Sequence, residues 1–185
     1  MIKIEDLSVK FEKSIFDNFN MEFSDSGIYC IYGPSGFGKT TLLNAIAGLI
    51  KYDGRIIKDG SVSYLFQEDR LLNWLSAKEN IMLVEPEKEY TEFLISALGI
   101  KEFEDKKPKE LSGGMKRRVA IARCLGFNAD IYLLDEPFKG LDNDNVQAIY
   151  SVLKELAKEK LIIIVTHDEG VASEVGAEVI SFFGI

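Results

Sequence analysis

Residues 33–41 read Gly33-Pro34-Ser35-Gly36-Phe37-Gly38-Lys39-Thr40-Thr41, and the first eight satisfy G-x-x-x-x-G-K-[ST] in full. The backbone N–H groups of such a loop wrap a polyphosphate, and a helix starting at its end aims its positive pole at the same anion. At average residue frequencies the pattern arises by chance on the order of once in a hundred chains of this size. The flanking sequence lowers that further. Gly27 to Tyr32 is a short apolar run that reads as a buried strand, and from Lys39 onward Leu42, Leu43, Ile46, Ala47 and Leu49 recur at helical spacing, with Gly48 near the end. Strand, glycine loop and helix together predict a nucleotide site. Lys39 would bridge the terminal phosphates, and the Thr40 hydroxyl would coordinate Mg²⁺.

Working outward, Ile2, Ile4 and Leu7 to Val9 alternate, as do residues from Ile15 to Phe23, and the charged turn at Glu12-Lys13 between them predicts paired antiparallel strands. Short strands are expected around Arg55 to Ile57 and Ser61 to Phe66. Charge-rich helices follow between about Ser76 and Leu98. The mixed-sign segment from Lys101 to Glu110 reads as a solvated connector. Beyond it the pattern predicts a helix from Gly113 to about Leu125, a buried strand from Ile131 to Leu134, a helix from Asn143 to Lys158, and strands at Leu161 to Val165 and Glu178 to Phe183. This alternation of strands and helices implies an α/β fold with a mostly parallel core sheet flanked by helices.

Composition bounds the function. At 185 residues the chain has the size of one domain. With 22 basic against 30 acidic residues its net charge is −8, a field that repels nucleic acid and anionic headgroups. Cys30 and Cys124 sit in apolar runs and read as core thiols of a reducing compartment. The N-terminus lacks a signal core, and no apolar run approaches the ~20 residues that cross a bilayer. A cytoplasmic location is expected, with any membrane role reached through a partner.

Two further stretches carry chemistry. The apolar run Ile131-Tyr132-Leu133-Leu134 stops at Asp135-Glu136, and a buried parallel strand delivers groups at its C-terminal end, where ligands of α/β sheets bind. Asp135 can hold the Mg²⁺ there, and Glu136 can polarise a water for attack on a γ-phosphate. Leu111-Ser112-Gly113-Gly114-Met115 opens the next helix, with Ser112 as its N-cap and two glycines that let an anion approach bare N–H groups.

With these residues in this order the chain resembles the nucleotide-binding subunit of ATP-binding cassette (ABC) transporters along essentially its whole length. The match takes in the phosphate loop at 33–40, the glutamine loop at Gln67, the signature at 111–115, the acidic strand end at 135–136, Gly140-Leu141-Asp142 as the D-loop, and His167, the single histidine, as the switch histidine. The resemblance implies a P-loop NTPase with an N-terminal antiparallel β-subdomain and a small helical subdomain at approximately 68–126, a single domain with no C-terminal regulatory domain. It implies Mg²⁺-dependent ATP hydrolysis with ATP held by residues 33–41, Phe11 against adenine, Thr40, Gln67 and Asp135 around Mg²⁺, and Glu136, His167 and Gln67 at the attacking water. Ser112, Gly113, Gly114 and Asp142 would close over ATP bound to a second copy, so that two chains sandwich two nucleotides.

The resemblance also implies partners: an integral membrane permease and, indirectly, an extracytoplasmic substrate-binding protein, with the chain peripheral on the inner membrane face. In the run Arg70-Leu71-Leu72-Asn73-Trp74-Leu75, similar to Arg-Leu-Leu-Pro-Trp-Leu in bacterial nitrate, sulfonate, taurine and thiamine-type importers, Leu71, Leu72 and Trp74 would receive a permease helix. Departures are Met115 where the family usually has Gln and Lys139 where it has Ser. The alternative class is a soluble cassette ATPase acting on DNA or ribosomes, which the acidic charge does not favour. A phosphate-loop kinase would lack the Ser112 signature.

Overall fold

A computed structural model describes residues 1–84 and 88–182. Five parallel strands form its central sheet in the order β5 (Val62–Leu65), β6 (Ile131–Asp135), β7 (Leu161–Thr166), β3 (Gly27–Tyr32) and β8 (Glu178–Ser181). An antiparallel sheet is built from β2 (Ser14–Phe23), β1 (Ile2–Lys10) and β4 (Asp53–Lys58), so the two-stranded N-terminal pair gains a third member.

The strands β3, β6 and β7 are apolar along most of their length because both of their faces are covered. Tyr29, Ile31, Leu133, Ile163 and Val165 face one core, shared with α1 (Lys39–Ile46) and the antiparallel sheet. Ile28, Cys30, Tyr132, Leu134, Ile162 and Ile164 face the other, shared with α4 (Gly113–Gly126) and α5 (Asn143–Leu156). The period of two along each strand thus feeds two cores at once. Burial pushes the Cys30 and Cys124 thiols up to about 11, so both are inert packing groups in line with their apolar surroundings.

Between β5 and β6 lie α2 (Ala77–Met82), α3 (Lys88–Ala97) and α4. A capping box starts α2, with the Ser76 hydroxyl accepting from the Glu79 amide and the Glu79 carboxylate accepting from the Ser76 amide. The 101–110 segment corrects its reading as a solvated connector. It carries two 3₁₀ turns, Lys101–Phe103 and Pro108–Glu110, and Phe103 is buried in the core. The amides of Ala77 and Lys78 donate to the carbonyls of Lys106 and Glu104. Lys78 and Lys101 pair with Glu92 and Glu104 around this junction. The segment's charges masked one large apolar residue that the helices needed.

Other boundaries shift modestly. α5 stops at Leu156 rather than Lys158. β8 is described to Ser181, and Phe183 lies outside the described residues. α6 (Gly170–Val175) was not expected, because six residues opening on glycine carry too little periodicity to declare a helix.

Candidate functional site

The phosphate loop leaves β3 and enters α1 through two glycines in the left-handed region, Gly36 at φ 88° and Gly38 at φ 85°. At Gly38 a Cβ would also sit 2.6 Å from the Ile15 side chain, so the loop closes against β2 only with glycine there. Lys39 is buried, and its Nζ donates to the carbonyls of Gly33 (2.7 Å) and Pro34 (2.8 Å). Burial pulls its ammonium below the ordinary lysine range, against the opposing pull of Glu136 and Asp135.

Strand β6 carries Asp135 to this loop. The Thr40 hydroxyl donates to Asp135 Oδ2 at 2.8 Å, joining the helix start to the strand end. Asp135 is 1% exposed, and burial raises its carboxyl above the usual carboxylate range, an effect that the Thr40 hydrogen bond offsets and Glu136 adds to. A carboxyl raised in the fold takes up protons more readily there than in the unfolded chain. Its contribution to stability is therefore greatest at acid pH and falls as pH rises through the folded value. At neutral pH Asp135→Asn is expected to raise the melting temperature of the ligand-free chain in scanning calorimetry. An unchanged or lowered midpoint would refute the burial argument.

Glu136 follows in the left-handed region, at φ 49° without being glycine, a backbone state held only where the surroundings fix it. Its amide donates to Val165 O (2.9 Å), its Oε1 lies 2.9 Å from His167 Nδ1, and the Thr166 hydroxyl stands 3.4 Å from Oε2. The ends of β6 and β7 thus form a carboxylate–imidazole pair beside the phosphate loop.

These groups converge on a cavity of about 310 Å³ lined by Ser35, Gly36, Gly38, Lys39, Thr40, Thr41, Gln67, Asp135 and Glu136, with Ile15 and Val165 as its apolar walls. A roomier hollow of about 470 Å³ lies at Tyr90, Tyr132 and Lys160, away from the loop, and has no comparable gathering of phosphate-loop amides and carboxylates. Gly33 and Pro34 take part through their carbonyls. Phe11 stands 59% exposed in the β1–β2 turn and does not line the cavity.

Ser112, Gly113 and Gly114 do not line it either. The Ser112 hydroxyl caps α4 by accepting from the Met115 amide at 3.3 Å, and the Met115 sulfur accepts from the Ser112 amide at 3.4 Å. The thioether thereby stands in the place of the carboxamide in a capping box. A Cβ on Gly114 would come within 3.1 Å of the Gly140 carbonyl, so this helix start packs on the turn before Asp142. The Asp142 carboxylate caps α5, accepting from the Asn145 amide and side chain. Those Asn145 hydrogen bonds hold it below the usual carboxylate range. After Gln67, Leu71 packs against the helical core, Leu72 exchanges hydrogen bonds with Asn80, and Trp74 is 68% exposed.

Sequence reading missed Ile15, whose side chain walls the cavity, and Arg117, whose guanidinium reaches the backbone beneath it. A signal for Arg117 existed: it precedes Ile121 by four positions and Cys124 by seven, on the buried face of α4.

Among the described residues no group of three His, Cys, Asp or Glu side chains could hold a metal ion unaided, and no helix is long and apolar enough to cross a membrane. The donors near Thr40 are a hydroxyl, a carboxylate and a carboxamide, hard oxygens of the kind Mg²⁺ takes together with phosphate oxygens.

The aliphatic sulfonates import ATP-binding protein SsuB of Bacillus subtilis (strain 168) is 38% identical over 173 residues, 85% of this chain and 68% of its own length. The taurine import ATP-binding protein TauB of Roseobacter denitrificans is 34% identical over 191 residues, 90% of this chain and 71% of its own. Among solved structures, a dimeric post-hydrolysis state of the ATP-binding cassette MJ0796, bound to ADP and Pi, superposes with a TM-score of 0.84 at 30% identity, covering 98% of this chain and 94% of that one. A family model described as ABC transporter matches residues 16–139, from inside β2 through the phosphate loop and the acidic strand end, and on these matches the chain belongs to that family.

Proposed function

We propose that this chain binds and hydrolyses ATP with Mg²⁺ and energises an importer as one of a head-to-tail pair of cassettes. The observation that carries the reading is the single cavity in which the phosphate-loop residues meet Gln67, Asp135 and Glu136. In it, Lys39 and the 36–41 amides grip the β- and γ-phosphates. Thr40, Asp135 and Gln67 hold Mg²⁺, which when bound neutralises phosphate charge. Glu136, held by His167, orients a water and accepts its proton. The water oxygen bonds to the γ-phosphorus, the bond from that phosphorus to the β–γ bridging oxygen breaks, and ADP leaves with its electron pair. The proton then passes from Glu136 to the departing phosphate or to solvent.

Pairing is supported by the position of Ser112–Gly114 outside the chain's own cavity and by the dimeric state of the MJ0796 structure. In the pair these residues, with Asp142 beside them, cover the other copy's ATP, and Phe11 stacks on adenine from its exposed turn. The helical unit at approximately 68–126, with Trp74 on its surface, meets an integral membrane permease that receives solute from an extracytoplasmic binding protein. This places the chain at the inner membrane face. Import is supported by the similarity to the import ATP-binding proteins SsuB and TauB.

The test is turnover. Purified chain with ATP and Mg²⁺ should release phosphate, and proteoliposomes containing its partner permease should stimulate release. Stimulation by duplex DNA or ribosomes, with none from the permease, would overturn the reading.

A further inference from the structure

The guanidinium of Arg117 is buried, the residue being 3% exposed, yet it serves no carboxylate in bidentate fashion. Its donors are distributed instead over the backbone of two separate chain segments. Nε donates to Pro137 O at 3.0 Å, and Nη2 donates to Asp135 O at 2.7 Å and Glu136 O at 2.8 Å. Nη1 donates to Phe66 O at 2.8 Å, with Asp69 Oδ1 at 3.2 Å and Gln67 O at 3.4 Å beside it. One planar fork thus holds three consecutive carbonyls around Glu136 and the two carbonyls at Gln67.

This arrangement meets a specific structural need. Glu136 lies in the left-handed region, which a residue bearing a Cβ adopts only when its neighbours over-determine it. The 135–137 carbonyls lie where β6 ends, the hydrogen bonds to those of Asp135 and Pro137 are buried, and buried carbonyls require donors. Arg117 supplies them for all three. It also stands five residues after the Ser112 cap, near the start of α4, so the helix that begins at Ser112–Gly114 is fastened to the backbone of both Glu136 and Gln67.

We propose that Arg117 is a positioning residue for ATP hydrolysis: its guanidinium fixes the backbone of Glu136 and Gln67 so that the Glu136 carboxylate and Gln67 carboxamide meet the attacking water in register. The proposal rests on the ATPase reading above. Lysine cannot replace it, because a single ammonium on a flexible stem does not span carbonyls on two segments. A ~1 Å displacement of a reacting group is enough to lower turnover by about two orders of magnitude while leaving phosphate binding largely intact.

A control is built into the same helix. Arg123 also ties α4 to the loop after Gln67, donating to Asp69 O (2.9 Å) and Arg70 O (3.0 Å), but neither of these hydrogen bonds reaches the Glu136 backbone. Arg117→Gln, Arg117→Lys and Arg123→Gln would be compared with the unaltered chain by steady-state ATP hydrolysis per folded molecule, by Kd for a fluorescent ATP analogue, and by melting temperature. Both Arg117 variants are expected to lose kcat by about 10-fold or more with Kd for the analogue within about 3-fold, a split that marks loss of stabilisation made only in the transition state. Arg123→Gln is expected to lower the melting temperature and keep kcat.

Retained kcat in Arg117→Gln, full rescue by Arg117→Lys, or an equal kcat loss in Arg123→Gln would overturn the inference. If Arg117→Gln fails to fold, Arg117→Lys carries the comparison. Turnover in the unaltered chain together with undiminished kcat in the Arg117 variants would remove this role and leave the ATPase reading standing. Absence of turnover in the unaltered chain would remove that reading first.

Discussion

Replacing Lys39 by Ala is expected to lower ATP turnover by about 10²- to 10³-fold, the magnitude seen when one donor to developing transition-state charge is removed. The lysine ammonium has three donors, and in the structure two of them are occupied by the Gly33 and Pro34 carbonyls within the loop itself. The loop therefore holds the side chain in place before any phosphate arrives, so little ordering remains to be done on binding. Loss of the ammonium would also leave phosphates facing Asp135 and Glu136 with a positive charge missing, since both carboxylates act on Lys39. The check is phosphate release under saturating ATP, alongside a melting curve. Full turnover in a folded Lys39→Ala chain would remove the assignment of residues 33–41.

Glu136→Gln is expected to separate binding from chemistry. The carboxamide has the shape of the carboxylate but cannot take the water's proton at neutral pH, and a positioned general base contributes about 10²- to 10⁴-fold. Phosphate release should fall by that factor while ATP still binds. With hydrolysis blocked, the closed pair should accumulate, so size-exclusion chromatography with ATP and Mg²⁺ is expected to show a dimer that is lost when ATP is withdrawn. The neutral side chain also removes one negative charge beside the phosphates, which favours retention of nucleotide. Absence of any ATP-dependent dimer would contradict the head-to-tail pairing, whereas undiminished release would contradict the role of Glu136.

Much of the fold was legible because its central strands follow simple rules. β3, β6 and β7 are continuous apolar runs that end in polar residues, and α1 and α5 have clear helical periodicity. The polar groups that line the cavity could be named for the same reason: phosphate loop and strand ends place side chains largely by backbone geometry. The missing parts depend on tertiary contact. Phe103 was hidden inside a charged segment, and nothing local announces that Phe103 will be buried among α2, α3 and α4. Arg117 stands in Lys116-Arg117-Arg118, a run whose charge masks the helical spacing that sets Arg117 on the same face as Ile121 and Cys124. The exposed setting of Phe11 likewise depends on how the β1–β2 turn sits, which its residue type does not encode.

Strand β6 acts as a ruler. It is five residues long and buried along its whole length, with Leu133 against one core, Leu134 against the other, and Asp135 at its tip. Because it is clamped from both sides, a change of side-chain volume at either leucine has few directions in which to relax apart from along the strand, and that direction leads to the carboxylates. Random variation in this chain should therefore find stability and turnover hard to improve independently in β6. The exposed face of β2 offers selection a freer hand.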